Sequence, residues 1–296
     1  VVFCATCAAA VWYYVLTPLQ PSGAKVEMVI EPGCSLWSIA EELEKTGVIR
    51  SKHALVLWLR LTGNEKNVQA GRCVFREEES VLSAARTLLD AMPLETEVAI
   101  PEGLIIDQVA ARLAESLGVD SAAFAARCYD STVAHSYGID AGSLEGYLFP
   151  DTYRFPPEPP VEDIVRRMVA RFEEMYAGLE VDTSARVAGG MRRHEYVTLA
   201  SIIEKEAVLA KERPRIAGVF HNRLRLGYPL GADPTVRYAL RKFSGPLRVS
   251  ELETASPYNT RKYAGLPPGP ICSPGFGSLQ AAVKPLETDE LYFVAR

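Results

Sequence analysis

The spacing of hydrophobic residues predicts a chain of short strands and amphipathic helices. Residues 26–30 alternate between hydrophobic and polar side chains, as a half-buried strand does, and a Pro-Gly pair follows them. Hydrophobic residues from Leu36 to Leu43 then recur at helical spacing, and Ser35 is placed to cap that helix. The chain therefore begins its folded part with a strand that leads into a helix.

The next elements complete a small N-terminal unit, which we place at residues 25–97. A second helix is predicted from about His53 to Thr62, and residues 67–91 read as a strand, a turn and a helix. A hairpin turn is predicted at Ala70-Gly71.

The remaining residues, 98–296, read as a larger domain of mixed helices and strands. A strand stopped by proline and followed by a helix recurs near residue 100. Further helices are predicted at about 161–176, across the segment LASIIEKEA, and at about 211–226 and 235–240, before a last helix and the strand LYFVA. The Pro/Gly-rich region near 256–278 is longer than ordinary connections, which favours a packed, functional loop. The predicted fold class is α+β.

The start of the chain is uncharged as far as Lys25. Residues 1–19 are apolar or small enough to predict a single transmembrane helix, with aromatic residues near its end and prolines after it. A cleaved signal peptide is the alternative interpretation.

Composition excludes several functions. With 48% hydrophobic residues the chain can bury a core, and a net charge of -5 gives no basis for binding nucleic acid. No P-loop, dinucleotide or nucleophile-elbow motif occurs, and the histidines and cysteines lack zinc spacing. We therefore expect no metal and no cofactor. Cys34 and Cys73 could pair in an oxidising compartment, but single buried thiols are favoured.

The stretch LASIIEKEA places Glu204, Lys205 and Glu206 inside an otherwise apolar run of helix length. Either glutamate could face a cleft, where desolvation would keep a carboxyl protonated for use as a general acid. Helical spacing puts the two carboxylates about 200° apart, so they cannot act as an adjacent pair. Periodicity alone leaves the choice between them, and a surface role for both, open.

Two further clusters mix carboxylates with aromatic rings. LEGYLFPDTYRF, residues 144–155, has the residue types that hold sugars, although a turn with a buried aromatic core would give the same pattern. In DPTVRY, residues 233–238, Asp233 is placed to cap a helix that has Pro234 at its first position.

Eight motifs occur together in a fixed order: PEG at 101–103, LEGYLFPDTY at 144–153, LASIIEKEA at 199–207, VFHNRL at 219–224, DPTVRY at 233–238, SPYNT at 256–260, GLPPGPICSPG at 265–275 and LYFVA at 291–295. From about residue 26 onward the chain thus resembles the YceG-like family of membrane-anchored endolytic murein transglycosylases.

The resemblance implies a single-pass protein of the inner (cytoplasmic) membrane with an extracytoplasmic, periplasmic enzyme domain. It implies a LysM-like subdomain at 25–97 and a YceG-like catalytic domain at 98–296, whose C-terminal end we expect to be truncated. The implied activity is a lytic transglycosylase that cuts the MurNAc-β-1,4-GlcNAc bond inside peptidoglycan glycan strands, leaves 1,6-anhydroMurNAc ends and terminates nascent strands. Peptidoglycan synthases are the partners it implies.

The resemblance also assigns residues. It makes Glu204 the catalytic acid/base and makes Glu145 and Asp151 candidates for positioning sugar. The other candidates for binding substrate or supporting the site are Tyr147, Tyr153, Ser201, Asn222, Asp233, Thr235, Tyr258 and Asn259. A water-using muramidase, with Glu145 activating the water, and a non-catalytic murein-binding scaffold are the alternatives.

Overall fold

The computed structural model describes residues 13, 25–31, 33–76, 79–179 and 190–293. The chain divides into two compact units between Glu95 and Thr96.

The first unit is a small antiparallel sheet with helices. Its elements are β1 (Lys25–Ile30), α1 (Leu36–Lys45), α2 (Lys52–Leu61), β2 (Gly71–Arg76), α3 (Val81–Leu89) and β3 (Met92–Pro93). The strand order is β1-β2-β3, with both neighbouring pairs antiparallel. The core is formed by alternate residues of β2 and the apolar faces of the three helices.

Local sequence signals account for most of this unit. The predicted cap is confirmed, because the Ser35 hydroxyl accepts a hydrogen bond from the Ser38 N–H at 3.1 Å. Ser51 and Ser80 cap α2 and α3 in the same way. Cys34 and Cys73 are free thiols; Cys73 is buried, as the favoured interpretation has it, but Cys34 is exposed, so that part of the prediction is wrong.

The hairpin predicted at Ala70-Gly71 is wrong. Gly71 is the first residue of β2, and β2 pairs with β1, so that Gly71 lies opposite Ile30. A strand preceding Gly71 would be needed for a hairpin, but residues Glu65–Asn67 form a 3-10 turn instead. The glycine serves close packing, since a Cβ at this position would lie 2.3 Å from the Met92 carbonyl oxygen.

The second unit is mainly helical. Its strands are β4 (Thr96–Ala99) and β5 (Thr152–Phe155), and its helices are α4 (Ile106–Leu117), α5 (Ser121–Tyr129), α6 (Ser131–Ser136), α7 (Val161–Ala177), α8 (Arg193–Glu206), α9 (Arg213–Leu226), α10 (Asp233–Leu240), α11 (Val249–Leu252) and α12 (Phe276–Val283). The two strands pair antiparallel. These elements and the first unit confirm the α+β class.

Helix α8 is the central helix of this unit. It packs against α9, α10 and α12, and every residue from Val197 to Ile203 is buried. A helix that is buried all round has no solvent face, so hydrophobic periodicity cannot assign orientations to its side chains. The buried Ser201 hydroxyl, for example, donates to the Thr198 carbonyl and accepts from the Ile271 N–H.

The long Pro/Gly-rich region is packed beside α8. The segment Ile271–Ser273 is buried, and the Cys272 thiol donates to the Ser201 carbonyl. The predicted strand LYFVA is not found at residues 291–293, which are irregular; residues 294–296 lie outside the described residues.

No helix in the described part of the chain is long and apolar enough to cross a membrane. The transmembrane segment predicted at residues 1–19 lies outside the described residues except for Tyr13, so it stays a prediction.

Candidate active site

Glu204 lies in the last turn of α8, where that helix meets the N-terminus of α12. Its side chain is 8% exposed. The carboxylate oxygen Oε2 accepts hydrogen bonds from the Gly275 N–H at 3.0 Å and the Ser278 hydroxyl at 2.7 Å. Because the first backbone N–H groups of a helix have no partner within the helix, α12 presents a donor to this carboxylate.

The second oxygen of Glu204 faces Arg213, the first residue of α9. Arg213 Nη2 donates to Glu204 Oε1 at 3.0 Å and to Glu102 Oε2 at 2.9 Å. One nitrogen of one guanidinium group therefore bridges two carboxylates. Burial and the neighbouring charge of Glu204 raise the pKa of Glu102 above its ordinary value, and Arg213 acts in the opposite direction.

Two distant motifs build the wall around these groups. The Gly103 N–H donates to the Ser273 carbonyl, and the Ser273 N–H donates to the Leu104 carbonyl, both at 2.8 Å. This ladder joins the PEG motif to the SPG motif and brings Glu102 against Gly275. A Cβ at Gly275 would lie 1.8 Å from Glu102 Oε1, so the approach requires glycine.

The two other charged residues of the EKE sequence point elsewhere. Lys205 Nζ donates to the Gly103 carbonyl at 3.2 Å, which ties α8 to the PEG turn. Burial and the charge of Asp233 raise the pKa of Glu206 to about 7, against the opposing charge of Arg223. Helical periodicity left Glu204 and Glu206 equivalent, whereas the structure places only Glu204 beside Arg213 and α12.

Glu145 is a buried carboxyl with structural partners. It is 3% exposed, and its oxygens accept from the Ile106 N–H at 3.2 Å and from the Tyr238 hydroxyl at 3.1 Å. Burial raises its pKa to about 8, although both hydrogen bonds oppose this. Glu145 thus supports the N-terminus of α4 and α10, and its sugar-binding role stays a prediction.

The aromatic residues of the same motif are packed in the core. The Tyr147 hydroxyl is 2.8 Å from His194 Nδ1, and the Tyr153 hydroxyl donates to the Phe149 carbonyl at 2.6 Å. Asp151 differs, because it is partly exposed and pairs with Arg171 at 2.7 Å.

Asp151 and Glu102 share a cavity. Its volume is about 290 Å³, and Arg112 also lines it. Of the predicted sugar-positioning carboxylates, Asp151 is therefore the one that lies in a cavity beside the Glu204 network.

Three predicted residues are fully buried and internally hydrogen-bonded: Ser201, Thr235 and Asn259. Thr235 bonds to Thr260, and the Asn259 amide donates to the carbonyls of Leu252 and Thr254. These contacts hold the loop after α10, which is the scaffold role that the sequence left open beside binding.

The last three predicted residues are partly exposed or paired at the surface. Asn222 donates to the carbonyls of Thr288 and Glu290, and Tyr258 packs on Tyr238 with ring centroids 5.0 Å apart.

The prediction that Asp233 caps α10 is wrong. Ala232 occupies the cap position, and the Asp233 carboxylate instead accepts from Arg261 at 2.7 Å.

The sequence-based candidates omitted Glu102, Arg213 and Ser278. The PEG and SPG motifs were visible signals for Glu102 and its glycine partner, but nothing in the sequence singled out Arg213 or Ser278. Within the described residues, no group of three or more His, Cys, Asp or Glu side chains is placed to hold a metal ion.

Residues 28–296 match the model of the YceG-like family, and the chain belongs to that family. The endolytic murein transglycosylase of Bacillus subtilis is 33% identical over 298 residues, which cover 95% of this chain and 82% of that protein. That of Streptococcus pneumoniae is 29% identical over 320 residues, which cover 96% of this chain but 57% of the pneumococcal protein. A crystal structure of a YceG-like protein from Listeria monocytogenes gives a TM-score of 0.63 at 31% identity, covering 93% of this chain and 94% of that one.

Proposed function

We propose that this chain is an endolytic peptidoglycan lytic transglycosylase, which cuts the MurNAc-β-1,4-GlcNAc bond within glycan strands and leaves 1,6-anhydroMurNAc ends. The observation that carries the proposal is the Glu204 carboxyl, oriented through both oxygens by Arg213 and the start of α12. The names of the relatives from Bacillus and Streptococcus support the substrate class.

One carboxyl is sufficient for this reaction. Protonated, Glu204 gives its proton to the glycosidic oxygen as the bond from C1 breaks and its electron pair stays on that oxygen. The resulting carboxylate then takes the proton of the C6 hydroxyl as O6 bonds to C1. Because the substrate supplies its own nucleophile, no water is consumed and the carboxyl ends protonated as it began. Terminating nascent strands is the cellular role we propose for the cut.

A water-using muramidase is the second candidate. It needs another carboxylate to activate water, and hydrolysis with inversion needs the two carboxyl groups about 6.5–9.5 Å apart. Glu145, the candidate suggested by the sequence, is 3% exposed and accepts internal hydrogen bonds through both oxygens. The lytic mechanism is therefore better supported.

Mass spectrometry of the products tests this choice. Uncrosslinked glycan strands incubated with the protein should yield anhydro ends, and reducing ends would refute the lytic mechanism. Glu204→Gln should lower the rate by about 10²–10⁴-fold, the usual contribution of a general acid/base. Glu206→Gln is the matched control on the same helix and should retain activity.

A non-catalytic scaffold is the remaining alternative. It predicts that Glu204→Gln complements a deletion strain as well as the wild type does, provided that the variant melts at the wild-type temperature. The enzyme proposal predicts loss of complementation with folding intact.

We further propose a single-pass anchor at residues 1–19 in the inner membrane and an extracytoplasmic remainder that acts with peptidoglycan synthases. The uncharged start of the chain supports the anchor. Cys34, an exposed thiol, offers a test: a membrane-impermeant maleimide should label it in spheroplasts, and Cys34→Ser should remove that label. Equal labelling of the wild type and Cys34→Ser would contradict this orientation.

We also propose that residues 25–97 form a LysM-like module that binds murein. The order β1-α1-α2-β2, with β1 and β2 antiparallel, supports it. The full chain carrying Glu204→Gln should co-sediment with purified sacculi, and loss of the module should reduce that binding.

A further inference from the structure

The bridge made by Arg213 couples Glu204 to a second carboxyl. Both carboxylates bond to the same nitrogen, Nη2, and the Nε atom of Arg213 is buried with no hydrogen-bond partner among the described residues. The orientation of the guanidinium group thus depends on Glu102 and Glu204 together. Its positive charge is divided between two negative groups.

Two neighbouring glycines leave the space that the side chains of Glu102 and Arg213 occupy. A Cβ at Gly275 would lie 1.8 Å from Glu102 Oε1, and one at Gly277 would lie 2.8 Å from Arg213 Nη1. Gly275 has φ of -77°, a value that any residue adopts, so glycine is needed here for space and not for backbone freedom.

We propose that Glu102 and Arg213 are positioning residues for Glu204, and that the two carboxyls hold one proton between them beside the shared guanidinium nitrogen. The proposal rests on the function proposed above for Glu204. Two like charges at one site resist simultaneous ionisation, and the positive charge keeps one of the two ionised. The pair thereby retains a proton for the glycosidic oxygen, and the pKa of Glu102, raised by burial and by the charge of Glu204, agrees with this.

Other charged and titratable groups face this unit. Lys205 of α8 adds a positive charge next to Gly103, and the N-terminus of α12 contributes the Gly275 N–H and the Ser278 hydroxyl. Arg112 and Asp151 share the cavity with Glu102. Cys272 is a fully buried thiol whose pKa is raised by burial, and the charges of Lys205 and Glu204 act on it.

The pH–rate profile distinguishes a shared proton from simple packing. Activity requires protonated Glu204, so it falls as pH rises through the alkaline limb. Glu102→Gln removes a negative neighbour and should move that limb to lower pH by about one unit. Arg213→Gln removes the positive neighbour and should move it to higher pH by a similar amount. Shifts in the same direction, or no shift, overturn the proposal.

Two further variants serve as controls for the pH–rate profile. Gly275→Ala keeps every charge but displaces the Glu102 carboxyl, so it should shift the limb in the same direction as Glu102→Gln. Glu97→Gln is the matched control, because Glu97 also pairs with an arginine, Arg154 at 3.2 Å, but lies on β4 with its side chain exposed. It should leave the profile unchanged.

A titration of Glu102 itself separates this proposal from the proposed function. Carboxyl ¹³C shifts of the full chain should show that Glu204→Gln lowers the titration midpoint of Glu102 by about one unit. An unchanged midpoint overturns the shared proton. If Glu204→Gln lowers the midpoint of Glu102 but the wild-type protein makes no anhydro ends, the proposed function is refuted and the coupling of the two carboxyls is retained.

Discussion

Replacing Glu145 by glutamine should change how the stability of the second unit depends on pH. Glu145 is 3% exposed, and burial raises the pKa of its carboxyl to about 8 from an ordinary value of 4.5. Between these two pH values the folded state holds a proton that the unfolded state has released. The free energy of unfolding therefore falls as pH rises through this window.

The size of the effect follows from the two pKa values. A difference of one bound proton changes the free energy of unfolding by about 1.4 kcal/mol per pH unit. From pH 5 to pH 7 the wild type should lose about 2.5 kcal/mol relative to Glu145→Gln. The amide stays neutral, and it can still accept from the Ile106 N–H and bond to the Tyr238 hydroxyl.

The assay is urea denaturation at pH 5, 6, 7 and 8, followed by far-UV circular dichroism. The chain has three tryptophans, of which Trp37 and Trp58 lie in the first unit and Trp12 precedes its first strand in the sequence, so their fluorescence provides an internal control that should not differ between the two proteins. Parallel pH dependences of the wild type and Glu145→Gln, with equal denaturant slopes, would refute the reasoning and allow Glu145 to be a charged group of the site.

Two glycine replacements test the packing beside α8. Gly146→Ala should cost about 2 kcal/mol or more, because Gly146 has φ of +85° and a Cβ there would lie 2.5 Å from the Pro270 Cβ. Gly118→Ala is the control, because Gly118 also has a positive φ but a Cβ there would meet open space. If the two variants lose the same amount of stability in a thermal melt, the contact with Pro270 does not contribute to the cost. Gly218→Ala should also lower the melting temperature, although alanine usually stabilises a helix by about 1 kcal/mol, because its Cβ would lie 2.3 Å from the Leu286 carbonyl oxygen. A raised melting temperature would show that the segment around Leu286 moves away at little cost.

Features that depend on nearby residues were predictable from the sequence. The Ser35 cap involves a donor three residues away, and the limits of α2 and α7 are within one residue of the predicted ones. The α+β class and the family follow from patterns and motifs that are also contiguous in the chain.

Pairings between distant segments were not predictable in this way. The hairpin at Ala70-Gly71 was wrong because β2 pairs with β1, about 40 residues earlier, and a turn signal carries no information on such a partner. Asp233 has the sequence context of a helix cap, yet Arg261 lies close enough to draw its carboxylate away.

The sequence by itself determined the short elements, the fold class and the family, and through the family it singled out Glu204. The tertiary structure decided what surrounds that carboxyl: Gly275 and Ser278 lie more than 70 residues away along the chain, and Glu102 is 111 residues from the arginine that it shares with Glu204. The physical reason is that α8 is buried on every side from Val197 to Ile203, so the neighbours of this segment are set by the packing of the whole core and not by the periodicity of the helix.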